Sequence, residues 1–387
     1  MKKWRGMLAL LSLCCCVSYG ANSVEPKWTV DVKEKFGFQA FDREITFRWT
    51  LHQGVLFLSP DSLLVYQVNR SRGPVRLSRR DASGGGGNFV LDIRVLSTLD
   101  GHEIKAFRLP TNAEFSKVMA TRQGRFVVRT GDILYLYSAD FQRIAAKPLP
   151  LRRQVQEEGW QIDVSPSGEE VALVHQEILK RDPLSPTSDV VHANVDLEIL
   201  DAETFSVTKR LSLPWFLASW FAADHTLLTS TPTSSPGGTG YGLLDFEGHW
   251  SELIPDGFSV GLACPYQAQP LDNQLFAAYG CGNLSVFPLA GRRVFFLKNA
   301  KKEHVGSVQG GGDLLAVLME QRSKKMDNAG NIPMTIIKPL RIEVFNLKTR
   351  TQLFFTEVRH SSYYAVSPSG RLAVVDGTLL ELFEPAH

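Results

Sequence analysis

The sequence predicts an all-β protein, a seven-bladed β-propeller of four-stranded antiparallel blades. Three observations carry this prediction. A turn motif recurs: Asp163 is followed by VSPSGEEVALV and Ala365 by VSPSGRLAVV. Alternating apolar segments follow the turns, as in VDLEILDAETFSVTKRLSLP (195–214) and RIEVFNLKTRTQLFF (341–355). Such alternation marks half-buried antiparallel strands. No stretch beyond the N-terminus keeps a long helical period. Four strands per unit in seven units is the pattern of a propeller.

The elements follow in chain order. Residues 1–21, MKKWRGMLALLSLCCCVSYGA, have a cationic start, an apolar run from Met7 to Val17 and small residues after it. This is the pattern of a secretory signal peptide, with cleavage expected after Gly20 or Ala21. The run is too short for a membrane span, which needs about 20 residues. Lipidation at Cys14, Cys15 or Cys16 is the rival reading, and Leu13 before Cys14 is large for it. An extracytoplasmic protein follows, periplasmic or secreted. Residues 22–42 form an N-terminal segment, within which Trp28–Phe41 either adds a strand or crosses the bottom of the ring. Residues 43–387 form the propeller. REITFRWT (43–50) precedes the first inner strand as outer strands do elsewhere, so it is expected to complete the last blade. The last unit has three strands of its own. Ring closure by the two ends protects strand edges that invite aggregation.

Each unit is fixed by the first apolar residue after its turn: Leu63, Phe126, Val171, Leu227, Leu275, Leu314 and Leu372. In Ser-Pro-Ser-Gly, Pro sets φ at the second position and Gly accepts a positive φ. The chain resembles the bacterial propeller-repeat families related to WD40-like and quinoprotein-like propellers. The resemblance covers residues 43–384 and rests on the V-S-P-S-G turns and on L-x-V-L-D-type third strands. It implies the fold and no specific chemistry. There is no Trp-Asp dipeptide, and Gly101-His102 and Gly248-His249 sit in outer hairpins, so this is not a regular WD40 protein.

Four polar insertions separate second from third strands: 70–87, 177–193, 230–240 and 320–334. In a four-stranded blade these connections share one face with the links between blades. Long loops on a rigid scaffold commonly bind. The face is rich in cations. Arg70, Arg72, Arg76, Arg79 and Arg80 lie in the first insertion, and Arg322, Lys324 and Lys325 in the last. The links add Arg152, Arg153, Lys301, Lys302 and Arg359, while Glu157, Glu158 and Glu320 dilute the charge. Gly84–Gly87 lacks the GK[ST] of a phosphate loop. Trp160, Trp215 and Trp220 lie near the starts of inner strands, and His304 and His360 in the links. The candidate binding residues are therefore Arg152, Arg153, Trp160, Trp215, His304, Arg359 and His360. Each has a plainer reading, as inter-blade packing or a solvated side chain.

Beyond residue 21 two cysteines remain. Cys264 and Cys281 flank a strand–turn–strand segment. With a two-residue turn at Asp272-Asn273 they oppose each other directly, which suits a disulfide. Two buried free thiols are the alternative.

The whole chain carries 42 Lys and Arg against 40 Asp and Glu. Without Lys2, Lys3 and Arg5 it is close to neutral, which argues against nucleic-acid binding. No catalytic residue, metal set or cofactor motif is assigned: CxxCH, HExxH, GxSxG and the sialidase-type box are absent. The expected function is an exported, non-catalytic binding propeller. It is expected to be monomeric, with no transmembrane span and no cofactor. Its partner would be a protein, peptide or glycan on the insertion-rich face. The alternative is an extracytoplasmic hydrolase or lyase with a channel site lined by residues such as Arg152, His304 and His360. Charged groups converging in the channel with shifted pKa values would favour that alternative.

Overall fold

The computed structural model describes residues 23–40, 53–111 (except 71–88), 116–149, 157–213 (except 182–189), 218–230, 241–253, 267–326 (except 272–273 and 281) and 333–384 (except 361). These residues form seven four-stranded antiparallel sheets. Blade 1 comprises Gln53–Ser59, Ser62–Arg70, Phe89–Ser97 and Glu103–Thr111. Blade 2 comprises Ser116–Ala120, Phe126–Thr130, Ile133–Tyr137 and Arg143–Pro148. Blade 3 comprises Glu157–Val164, Glu170–Arg181, Val190–Asp201 and Val207–Leu213. Blade 4 is Ala218–Ala223, Thr226–Ser230, Tyr241–Asp245 and Trp250–Glu252, and blade 5 is Gln267–Leu271, Leu275–Gly280, Asn283–Pro288 and Phe295–Lys298. Blade 6 runs through Glu303–Gly311, Leu314–Met326, Pro333–Asn346 and Thr351–Glu357. All seven register residues lie at or next to the first position of a second strand, as the repeat predicted.

Blade 7 is shared between the two ends of the described chain. Tyr363–Val366, Leu372–Asp376 and Leu379–Phe383 supply three strands, and Trp28–Asp31 pairs with Leu379–Phe383 as the outer one. Closure by an N-terminal strand was expected, but its position is different. The outer position of blade 7 is filled by Trp28–Asp31, and residues 43–50 lie outside the described residues. Lys27 and Arg371 both pair with Glu384, at 3.0 and 2.7 Å. Further upstream, Ser23 makes a parallel bridge with Phe355 at the outer edge of blade 6.

The closing strand ends in a single-turn helix, Val32–Phe36. Asp31 caps it, accepting from the N–H groups of Lys33 and Glu34 at 2.8 and 3.0 Å. Gly37 ends it with φ +74°. The chain then crosses the insertion-bearing face rather than the bottom. There the main chain of Gln39 is held by the buried side chain of Gln67 at 2.7 and 3.0 Å.

Both faces of each blade are buried, so the core is divided into seven parts. Seven apolar clusters fill the seven gaps between neighbouring blades. The cluster between blades 7 and 1 includes Val30, Val32 and Phe38 from the N-terminal segment beside Leu63 and Val375.

The Ser-Pro-Ser-Gly turns are built as the sequence implied. Gly168 donates to the carbonyl of Ser165 at 2.8 Å and Gly370 to that of Ser367 at 3.0 Å. The Ser165 and Ser367 hydroxyls accept from the N–H groups of Glu170 and Arg371. Gly168 has φ +72°, and a Cβ there would lie 2.5 Å from the Arg122 main-chain nitrogen in blade 2. Strain and collision act together. Gly168→Ala is therefore expected to lower stability by about 2–4 kcal/mol in denaturant titrations.

In blade 5 the turn is longer than expected. Leu271 pairs with Leu275 and Gln267 with Tyr279, so the hairpin has three loop residues rather than two. Gln274 takes a positive φ of 57° to close it. That shifts the register by one residue, and the direct opposition of positions 264 and 281 loses its premise. Both cysteines lie outside the described residues.

Candidate functional site

Connections between second and third strands, and links between blades, meet on one face around the mouth of the central channel. Two of the four expected insertions are largely strand rather than loop. In blade 3 the second strand continues to Arg181 and the third begins at Val190, past a bulge between Ile178 and Lys180. In blade 6 the ladder bulges after Met319 and then runs from Glu320↔Pro339 to Met326↔Pro333. The inner strand of blade 6 reaches only to the level of Gln321. The pairs from Arg322↔Ile337 to Met326↔Pro333 thus form a two-stranded arm that no third strand joins among the described residues. At 3.3 Å per residue it extends roughly 15 Å. Arg322 is exposed on it, as is Lys338 at its root, and Ile337 is 38% exposed. The insertions 71–88 and 231–240 lie outside the described residues.

The channel wall is tied from blade to blade by side chains of the inner strands. Lys117 of blade 2 donates to the Ile162 carbonyl of blade 3 at 3.0 Å. Asp163 of blade 3 accepts from the Phe221 N–H of blade 4 at 2.8 Å. Gln269 of blade 5 donates to the Val308 carbonyl of blade 6, and Gln309 of blade 6 to the Tyr364 carbonyl of blade 7, at 2.8 and 2.7 Å. Arg129, which pairs with Lys117 across the sheet, reaches the Trp160 carbonyl. These bonds satisfy main-chain groups that the inner strands, having no neighbour on the axis side, cannot pair within a ladder.

Charge converges at the gap between blades 2 and 3. Protein atoms crowd Lys117, and this desolvation holds its ammonium below the usual lysine value, against the pull of Asp163. The side chain is nonetheless exposed, so water in the channel mouth reaches it. Burial raises the Asp163 carboxyl, with Lys117 opposing, and lowers the Arg129 guanidinium. Beside this group Trp160 stacks on His175, with ring centroids 4.5 Å apart. The Trp160 indole N–H is buried and has no hydrogen-bond partner among the described residues.

Of the sequence candidates, Trp160, His304, Arg359 and His360 are among the described residues. Trp160 stands on blade 3. His304 lies at the start of the blade 6 inner strand, across from Glu320. Arg359 and His360 occupy the link into blade 7, where both N–H groups donate to Asp376 at 2.9 and 2.7 Å. The His360 Nδ1 lies 3.1 Å from the same carboxylate. Among the described residues no hydrogen bond joins His304 to His360, which stand at the entries to blades 6 and 7. Arg152, Arg153 and Trp215 lie outside the described residues. Among the described residues no three His, Cys, Asp or Glu side chains are placed to hold a metal ion, and no helix is long and apolar enough to cross a membrane.

Sequence reasoning missed Lys117, Arg129 and Asp163. A signal existed: each is a charged residue inside a strand of a fold that buries both faces of its sheets. It missed a second group for the same reason. Arg341 and Glu343 face one way on the third strand of blade 6, and Arg341 grips both oxygens of Glu303 at 2.9 and 2.8 Å.

No protein-family profile matches the chain, and no curated protein matches it. Solved structures do match the fold. The chain is similar to an oligogalacturonate lyase in complex with manganese, at 11% identity and a TM-score of 0.52, over 87% of this chain and 97% of that one. It is similar to the acylaminoacyl peptidase of Pyrococcus horikoshii, at 8% identity and a TM-score of 0.52, over 89% of this chain and 54% of the peptidase. It thus spans about half the length of that peptidase. The β-propeller domain of the Trilobed protease from Pyrococcus furiosus matches at 8% identity and a TM-score of 0.50, over 86% and 94%. That domain has an open velcro topology, whereas an N-terminal strand completes the last blade here. Identities this low show a shared propeller fold and carry no chemistry across.

Proposed function

We propose that this protein is an exported, non-catalytic binding propeller that recognises a protein, peptide or glycan on its insertion-bearing face. The observation that carries the reading is the blade 6 arm. A two-stranded ribbon is marginally stable alone. Here it extends beyond the inner strand of blade 6, and among the described residues no third strand pairs with either of its edges. Such edges suit the addition of an extended peptide strand. The polar side chains of the inner strands, by contrast, are engaged by the main chain of the next blade, which is a structural use. Replacing residues 322–337 by Asn-Gly joins the paired residues Gln321 and Lys338 with a two-residue hairpin. This shortened variant is expected to keep its melting temperature and to lose capture of envelope proteins, peptides or glycans bound by the intact chain. Retention of every captured species by the shortened variant would overturn the reading. The signal segment is tested separately, by the N-terminal sequence of the mature protein.

The convergence of Lys117 and Asp163 favours a second reading, an enzyme with a channel site. Two of the structural neighbours are a lyase and a peptidase by name. The isosteric Asp163→Asn separates the readings. A latch predicts a lower melting temperature with binding intact. A catalytic carboxyl predicts loss of turnover on a hydrolase or lyase substrate panel.

A further inference from the structure

The blade 6 arm has two long edges, and they differ. One is formed by residues 322–326 and lies on the side of the inner strand, whose pairing ends at Glu303↔Gln321. The other is formed by residues 333–340 and lies on the side of the outer strand, whose pairing ends at Arg341↔Glu357. Pro333 and Pro339 leave the second edge two positions without an N–H, and Glu357 is exposed beside it. The first edge has no proline, and among the described residues no strand pairs with it. The link that leads into the inner strand turns aside at the foot of this edge. There the Glu303 N–H donates to the Ala300 carbonyl at 3.0 Å, and Lys302 takes φ +73°.

The charge along the first edge is positive. Over residues 320–338 the chain has Arg322, Lys324, Lys325 and Lys338 against Glu320 and Asp327. Glu320 is 2% exposed and 3.5 Å from Arg322, and its carboxyl fills the space that a side chain at Gly306 would need. Lys301 and Lys302 at the foot of the edge, and Lys338 at the root of the arm, are exposed and make no ion pair among the described residues. Two further carboxylates of blade 6, Glu303 and Glu343, are held by Arg341. Lysine on a strand edge has a plainer use, keeping the same edge of another copy away. That repulsion acts on like charge and leaves the edge open to a strand of opposite charge. Residues 320–338 contain no aromatic residue, so a sugar ring finds no stacking face there. We propose that the edge formed by residues 322–326 binds an acidic peptide in extended form. The peptide adds as a strand, with its carboxylates opposite the cations of the arm and the link. Main-chain hydrogen bonds supply the pairing, and charge selects the partner. The inference rests on the binding reading above and narrows its partner to one class.

The test uses the intact protein and capped hexapeptides, titrated by calorimetry at low salt. A peptide of three Thr-Glu repeats is roughly 20 Å long when extended, enough to cover the edge. It is expected to bind at least about tenfold more tightly than the matching Thr-Gln peptide, and the Thr-Lys peptide not at all. The Thr-Glu peptide with every amide N-methylated keeps its charges but cannot donate to a strand, and should bind at least about tenfold more weakly than its parent. Lys324→Glu combined with Lys325→Glu should remove the preference for Thr-Glu while the melting curve is retained, since both residues lie beyond the inner strand. Equal binding of the Thr-Gln or the N-methylated peptide, no binding of the Thr-Glu peptide, or a preference that survives the double variant would each overturn the proposal. Trigalacturonate carries the same three carboxylates without an amide. Binding of it as tight as that of the peptide would show a general polyanion surface and overturn strand addition. Dimerisation of the protein alone, lost in the variant shortened at 322–337, would assign the edge to a second copy and overturn it as well. None of these results touches the binding reading, which falls only if the shortened variant keeps every captured species.

Discussion

Val30→Asp is expected to destabilise the whole propeller by about 3–5 kcal/mol, since it places a carboxylate in an apolar cluster and removes a core side chain. Val30 is 9% exposed and lies in the cluster between blades 7 and 1. Its strand is only Trp28–Asp31, yet it supplies the outer edge of blade 7. The effect should therefore exceed that of a surface strand of equal length. Thermal melting followed by circular dichroism gives the magnitude. Hydrogen exchange gives the location: Leu379–Phe383 should lose protection before the second strands of blades 3 and 4. An unchanged melting temperature would show that Trp28–Asp31 does not close the ring in solution.

Arg341→Ala should cost a comparable amount, about 3–5 kcal/mol, by a different mechanism. Removing one partner of a buried ion group leaves the others uncompensated. Glu303 would lose the fork that binds both its oxygens, and Glu343 the Nε contact. The pH dependence follows. Burial already sets the folded-state carboxyl of Glu343 above its usual value, and Arg341 opposes that rise. Without Arg341 the rise is larger. The folded variant then holds this proton more tightly than the unfolded chain does. Its deficit against the parent should be smallest below the usual carboxylate range and should grow as pH rises through the elevated folded value. Chemical denaturation across that range measures it, and a pH-independent deficit would contradict the account.

The parts of this protein that were legible in its sequence are those fixed by local chemistry. Ser165–Gly168 and Ser367–Gly370 announce their turns because Pro and Gly restrict or permit particular φ values. Leu63, Phe126 and Val171 mark strands because alternation is a local pattern. The closing strand was misplaced because REITFRWT alternates as well as WTVD does, and only the geometry of the ring decides between them. The blade 5 register slipped because Gln274 occupies a left-handed turn position that its type does not advertise. The arm of blade 6 was read as a loop because its outgoing stretch, Glu320 to Lys325, is polar throughout and shows no apolar alternation. The site was the least legible. Lys117 and Asp163 come from adjacent blades, and Glu303 and Arg341 are far apart in the chain. What could have flagged them is charge inside strands that a propeller buries on both sides.

The shared last blade also has a consequence for biogenesis. Trp28–Asp31 leaves the ribosome long before its partner Leu379–Phe383 is made. At about 5–20 residues per second, synthesis of the intervening chain takes roughly 20–70 s. During that time neither strand has its neighbour. Blades 1 to 6 can each form from contiguous chain, but the circle is joined only after Leu379–Phe383 has been made. Pairings so distant in sequence also form slowly, because a large loop must close before any contact rewards it. The same order of events in reverse would protect the finished molecule. Unfolding from the seam requires the two ends to separate first, so the lifetime of the folded ring is set by the rate at which that one junction opens.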